Sequence, residues 1–294
     1  MDDTQRPVAP DAESSLSRRE FAVAASLAGA ATVAATAKAA KAAKATTSSN
    51  VVIKTAGGEA EAFFVHPATG AYPAVLIHTD AFGLRPAFQE MATRLAAEGY
   101  AVLVPNPFYR SAKQPAIAPG TTMATPGFRE KFAEFRKPLT AAAVGSDTGA
   151  YVTWLDKQAA VKKSAKFGVQ GYCMGGPMTF QSAAAQPARF GGACTFHGGG
   201  LVDEKSAESP HRLIPKTGAG THFLCAVASN DDMTQPTAKD VLKTAFADNK
   251  RVAEVKVYDG CMHGWCVTDG AVYNKAGAED AWGKMLAIYR GKLV

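Results

Sequence analysis

Cysteine is scarce in this chain. Five residues among 294, at positions 173, 194, 225, 261 and 266, are too few and too unevenly placed to staple a domain of this size. Charge of one sign is lacking too: 32 basic residues stand against 26 acidic ones. The Lys and Arg are scattered, without the stripe or the interleaved aromatics of a nucleic-acid groove, so no nucleic-acid partner is expected. Neither a Walker loop nor a G-x-G-x-x-G fingerprint occurs, which leaves no cofactor to be expected. No repeat at a solenoid period is visible. What remains is a globular chain, 47% hydrophobic, long enough for one large α/β domain.

The start of the chain reads differently from the rest. In "SRREFAVAASLAGAATVAATAKAAKA", Arg18 and Arg19 precede an uncharged, Ala-rich run from Phe21 to Ala37. Small residues at Ala35, Ala37 and Ala39 offer A-x-A-like cleavage points. The stretch resembles a twin-arginine export signal, being weakly hydrophobic and short for a membrane span. Residues 1–39 are therefore expected to be the signal, 40–49 a linker and 50–294 a single domain. The expected location is periplasmic or otherwise exported, with the twin-arginine machinery as a partner and the mature chain a monomer. Without residues 1–37, 29 basic residues face 21 acidic ones, a bias toward anionic surfaces or ligands and not a function.

From Asn50 the pattern becomes regular. "NVVIKT" and "GEAEAFFVHP" alternate about Gly57-Gly58 as an antiparallel hairpin. "YPAVLIHTD", "AVLVPN", "AKFGVQGYC", "FGGACTFHG", "THFLCAVAS" and "VAEVKVYDG" are apolar runs of strand length. Helical patterns lie between them, as in "PAFQEMATRLAAEGY", where Phe88, Met91, Leu95 and Ala96 share a face and Gly99 ends it. Continuous apolar strands interleaved with helices predict a mostly parallel sheet covered on both faces. Residues 111–138, mixed in charge and rich in Pro and Gly, predict a loop and short helix over one edge of the sheet.

One strand ends in Gly171-Tyr172-Cys173-Met174-Gly175 and opens into a helix, the G-x-nucleophile-x-G pattern of a nucleophile elbow. A later strand is followed by "SNDD" and the last by "YDGCMHGW", giving the order Cys173, Asp231, His263 that an α/β-hydrolase topology imposes. Each residue has an ordinary explanation: Cys173 as a small buried hydrophobe, the Asp as a turn or capping residue, His263 as a surface histidine. Their joint occurrence, each after its own strand, is what points to a site.

The set "HTDAFGL", "LAAEGYAVLVPNPFYR", "GYCMGG", "CAVASND" and "YDGCMHGW" resembles the dienelactone hydrolases, cysteine-dependent members of the α/β-hydrolase superfamily, from about Val51 to the C-terminus. The resemblance implies an α/β-hydrolase fold and hydrolysis of a small ester or lactone. It implies Cys173 as nucleophile, His263 as base and Asp231 as its orienter, with Asp232 a rival one residue on. The oxyanion donors are expected to be the N–H groups of Met174 and Ala81, by analogy with related folds. Asp80 stands where the family has a glutamate that modulates the thiol. Arg110 matches a family arginine that binds a substrate carboxylate, and Tyr109 beside it is expected to bind substrate as well. Val267 replaces the second such arginine, so a small ester or lactone other than a dicarboxylate-like dienelactone is expected. His197 and Trp265 are expected near the pocket.

Other chemistries compete. Cys261, His263 and Cys266 are competent metal ligands on one loop, but a fourth is missing and the base would be lost, so no metal is expected. Cys261 and Cys266 are also candidates for a disulfide outside the cytosol. A thiol redox protein built on Cys173 would have no use for "SNDD" or "HTDAFG", and a non-catalytic binding protein would have no use for the triad.

Overall fold

The computed structural model describes residues 43–294. The expected export signal therefore lies outside the described residues. The chain enters through an antiparallel hairpin, β1 (Thr46–Thr55) and β2 (Gly58–Pro67), paired from Thr55↔Gly58 to Thr46↔Pro67. Its first strand begins at Thr46, so residues 46–49 of the expected linker are paired strand; short polar residues there face solvent and carry no apolar signal.

β3 (Ala74–His78), α1 (Pro86–Ala97), β4 (Ala101–Pro105), α2 (Phe128–Arg136), α3 (Ala141–Leu155), β5 (Phe167–Tyr172) and α4 (Gly175–Ala185) follow. Next come β6 (Phe190–Phe196), α5 (Pro210–Leu213), β7 (His222–Ala228), α6 (Ser229–Thr234), α7 (Ala238–Asp248), β8 (Val252–Tyr258) and α8 (Lys275–Lys292). Every residue of β3, β4, β5 and β6 is buried, which is why these strands read as continuous apolar runs. α1 buries Phe88, Met91, Leu95 and Ala96 as its spacing predicts.

The eight strands lie in the order β1-β2-β4-β3-β5-β6-β7-β8, with β2 antiparallel to both β1 and β4 and the remaining pairs parallel. This is an α/β-hydrolase-type fold. One face packs on α1 and α8 through Phe88, Leu95, Met285 and Tyr289. The other packs on α3, α4 and α7 through Tyr151, Phe180, Leu242 and Phe246. A smaller cluster joins Phe108 and Phe128 to Ala81, with Phe82, Phe132 and Met174 against it. It seats the 107–139 excursion on the loop after β3.

The chain runs outward from β3 to β4 and then returns past β3 to β5. At such a reversal the loops at the carboxyl ends of neighbouring strands part and leave a crevice. The loops after β3, β5, β6, β7 and β8 all open on that end of the sheet.

Candidate active site

Cys173 follows the last residue of β5 with φ of 51°. That left-handed conformation is strained for any residue with a Cβ and is held here by its surroundings. Its N–H donates to the Phe196 carbonyl (3.1 Å), and its carbonyl accepts from the N–H groups of Gly176 (3.0 Å) and Gly199 (3.3 Å). Two glycines are required by close approach. A Cβ at Gly171 would collide with the Gly175 carbonyl, and one at Gly175 would lie 2.5 Å from the His78 carbonyl oxygen. The side chain of Cys173 is left partly exposed at the tip.

α6 sets the acid. The Asn230 side-chain oxygen accepts from the backbone N–H of His263 (2.7 Å), and the next residue, Asp231, accepts from His263 Nδ1 at 2.7 Å. A carboxylate only accepts, so Nδ1 carries the proton and Nε2 is left without a protein acceptor among the described residues. Asp232 is held instead by Lys239 Nζ at 2.8 and 2.9 Å. Burial alone would lower the His263 pKa, but the hydrogen bond it donates to Asp231 and the influence of Asp231 and Cys173 outweigh it and raise it to about 10.

The N–H groups of Ala81 and Met174 make no hydrogen bond among the described residues. Both lie on the loops that converge on Cys173, and Met174 packs on the cluster containing Ala81. Each is therefore left to donate to a bound group.

Three of the expected site residues have protein partners. Asp80 does not engage the thiol among the described residues. Its two oxygens accept from Arg85 Nη1 (2.7 Å) and Nη2 (3.0 Å), and one also from the Phe82 N–H (2.9 Å). Arg85 caps α1 and reaches on to Asp269 at 2.7 and 2.8 Å, joining the loop after β3 to the histidine loop. Burial raises the Asp80 pKa against the opposing pull of Arg85.

Arg110 and Tyr109 likewise turn to a protein partner. Both Nη atoms of Arg110 donate to Asp147, at 2.6 and 2.9 Å, and the Tyr109 hydroxyl donates to the same carboxylate at 2.7 Å. Asp147 is a buried acid in α3, and its only sequence signal is an aspartate inside an otherwise apolar helix. A buried carboxylate requires a cation, and Arg110 supplies it.

His197 lies between His263 and Trp265. The His197 ring is 5.1 Å from the His263 ring and 5.3 Å from Trp265, fully buried, at φ of 40°. Burial and the charge of His263 hold its pKa well below the usual imidazole range, so it is neutral. Cys261 and Cys266 are free thiols, as are the other three cysteines. Both are buried, whereas His263 turns toward Asp231.

A strained residue between glycines, a histidine fixed to an acid and two unengaged N–H groups make up the candidate site. The profile of the Dienelactone hydrolase family matches residues 60–292. The chain belongs to the dienelactone hydrolase family. Two relatives bear the name putative carboxymethylenebutenolidase. One, from Salmonella typhi, is 26% identical over 246 residues, covering 82% of this chain and 87% of the relative. The other, from Synechocystis sp., is 26% identical over 250 residues, covering 84% and 96%. The crystal structure of the putative dienelactone hydrolase of Klebsiella pneumoniae superposes with a TM-score of 0.72 at 22% identity, over 84% of this chain and 99% of that one. That of the dienelactone hydrolase of Anabaena variabilis gives 0.60 at 15% identity. Identities this low carry the fold, and family membership carries hydrolase chemistry.

Proposed function

We propose that this dienelactone hydrolase-family chain cleaves small carboxylic esters or lactones through a thioester on Cys173. The observation that supports the reading is a strained, partly exposed Cys173 at the tip of its turn, together with His263 held to Asp231 at 2.7 Å and a His263 pKa that Asp231 and Cys173 raise. Cys173 Sγ attacks the carbonyl carbon as the thiolate, paired with the His263 imidazolium that the raised pKa favours. Charge then gathers on the carbonyl oxygen, where the Ala81 and Met174 N–H groups stabilise it. The carbon–oxygen bond to the alcohol breaks, and His263 gives its proton to the departing oxygen. Water, deprotonated by His263, attacks the thioester, releases the acid and restores the sulfur, with Asp231 holding the imidazole in one tautomer throughout.

The test is intact-mass spectrometry of the protein quenched within seconds of mixing with a short p-nitrophenyl ester, beside Cys173→Ala. An acyl adduct confined to the native chain supports the reading; full hydrolysis by Cys173→Ala sinks it.

The location is a second proposal. Arg18-Arg19 and the Ala-rich run after them support export by the twin-arginine route. Cell fractionation of the chain beside Arg18→Lys with Arg19→Lys tests it: the native chain is expected outside the cytoplasm and the variant retained, and equal export of both refutes the route.

A further inference from the structure

Resting on the hydrolase reading above, we infer that the site takes uncharged esters or lactones and selects against acyl groups that carry a carboxylate. Arg85 and Lys239 lie beside the loops that bear Ala81 and Asp231, Arg110 follows β4 at the same end of the sheet, and each is already matched by protein acids. Arg110 is matched by Asp147 through two hydrogen bonds, and Lys239 by Asp232 through two more. Arg85 spans two carboxylates, Asp80 and Asp269, so that group carries one negative charge in excess. Asp269 is 46% exposed and Asp80 10%, so the solvent-facing carboxylate of the group is the one on the histidine loop.

The remaining charges near the thiol do not reverse this balance. His263 is faced by Asp231 and Cys173, and His197 is a neutral imidazole. Arg129, Lys131, Arg136 and Lys137 stand in or beside α2 on its exposed side, where salt screens them beyond about 8–10 Å. A substrate carboxylate entering the cleft would lose its hydration without gaining an unmatched cation, and would meet the excess charge of the Arg85 group. An ester with an alkyl acyl chain of the same length loses nothing of the kind.

The experiment compares p-nitrophenyl butyrate with p-nitrophenyl hemisuccinate, whose acyl chain has a carboxylate in place of the terminal methyl group. Each kcat/KM is divided by that ester's own hydroxide-catalysed rate. At low ionic strength the butyrate is expected to lead by about tenfold or more, and the lead should shrink as salt is raised. Asp147→Asn, which unmatches Arg110, should narrow it. Asp269→Asn alters an exposed side chain, removes the excess charge and should narrow it even if the Asp147 variant does not fold. Equal or faster cleavage of the hemisuccinate overturns the inference.

Turnover of neither ester, or undiminished turnover by Cys173→Ala, would instead count against the hydrolase reading. The charge preference is then read without turnover, from protection of Cys173 against iodoacetamide by butyramide or by succinamate. Better protection by butyramide sustains the preference, and equal or better protection by succinamate overturns it.

Discussion

His263 donates from Nδ1 to Asp231 across 2.7 Å, while the next residue, Asp232, is held by Lys239 on the far side of the α6 turn. Two adjacent aspartates thus have different partners. Asp231→Asn should lower kcat by roughly 10²–10⁴, because the amide can present its N–H and favour the wrong tautomer. Asp232→Asn should stay within a few-fold of the native rate. Steady-state kinetics on one activated ester checks both.

The raised His263 pKa predicts how stability varies with pH. A histidine at about 10 in the folded chain and about 6.5 unfolded stabilises the fold fully below pH 6.5. That contribution falls away as pH rises from there through about 10. Urea denaturation at pH 7 and pH 10.5 should show a loss that His263→Ala abolishes. Since Cys173 contributes to the shift, Cys173→Ala should lower the His263 pKa, followed by NMR of the imidazole. An unmoved pKa would mean that the two side chains do not interact.

The bridge from Arg85 to Asp80 and Asp269 is expected to hold two loops in one arrangement. Arg85→Met strands a mostly buried Asp80 and should cost about 3 kcal/mol, read as a lower urea midpoint. It should also depress kcat more than it raises KM, because Ala81 follows Asp80 directly. A native-like kcat in a folded variant would show that the Ala81 loop is held by other contacts.

The left-handed backbone at Cys173 makes a prediction of opposite sign. Cys173→Gly relieves strain that Cys173→Ala keeps, and should be the more stable of the two by about 1 kcal/mol. Chemical denaturation of the inactive pair measures it.

Much of this architecture was legible from residues alone. β3 through β7 are covered on both faces, so their apolar runs could hardly be anything else, and the face of α1 follows from Phe88, Met91 and Leu95. The glycines around Cys173 mark an elbow in the sequence, and at Gly171 and Gly175 the backbone leaves no room for a Cβ. α6 was not legible, since six residues give too little periodicity to separate a helix from a turn. Yet it is α6 that assigns Asp231 and Asp232 to different partners. The pairs Arg110 with Asp147 and Arg85 with Asp269 join residues 37 and 184 positions apart. Sequence spacing holds no record of such pairs, which is why the protein partners of Arg110, Tyr109 and Asp80 could not be read from it. An isolated acid in an apolar helix was the one available warning.

The margins of the sheet bear on how the protein behaves when crowded. β1 is the outer strand on one side, and its Thr47, Ser48, Ser49, Asn50 and Lys54 face water. On the other side, β8 carries Glu254 and Lys256, each tied to α8 through Lys284 and Asp280. Unpaired strand edges are templates for amyloid-like stacking, and polar or charged side chains along them oppose it. A sheet whose middle is almost wholly apolar therefore ends, on both sides, in residues that resist polymerisation.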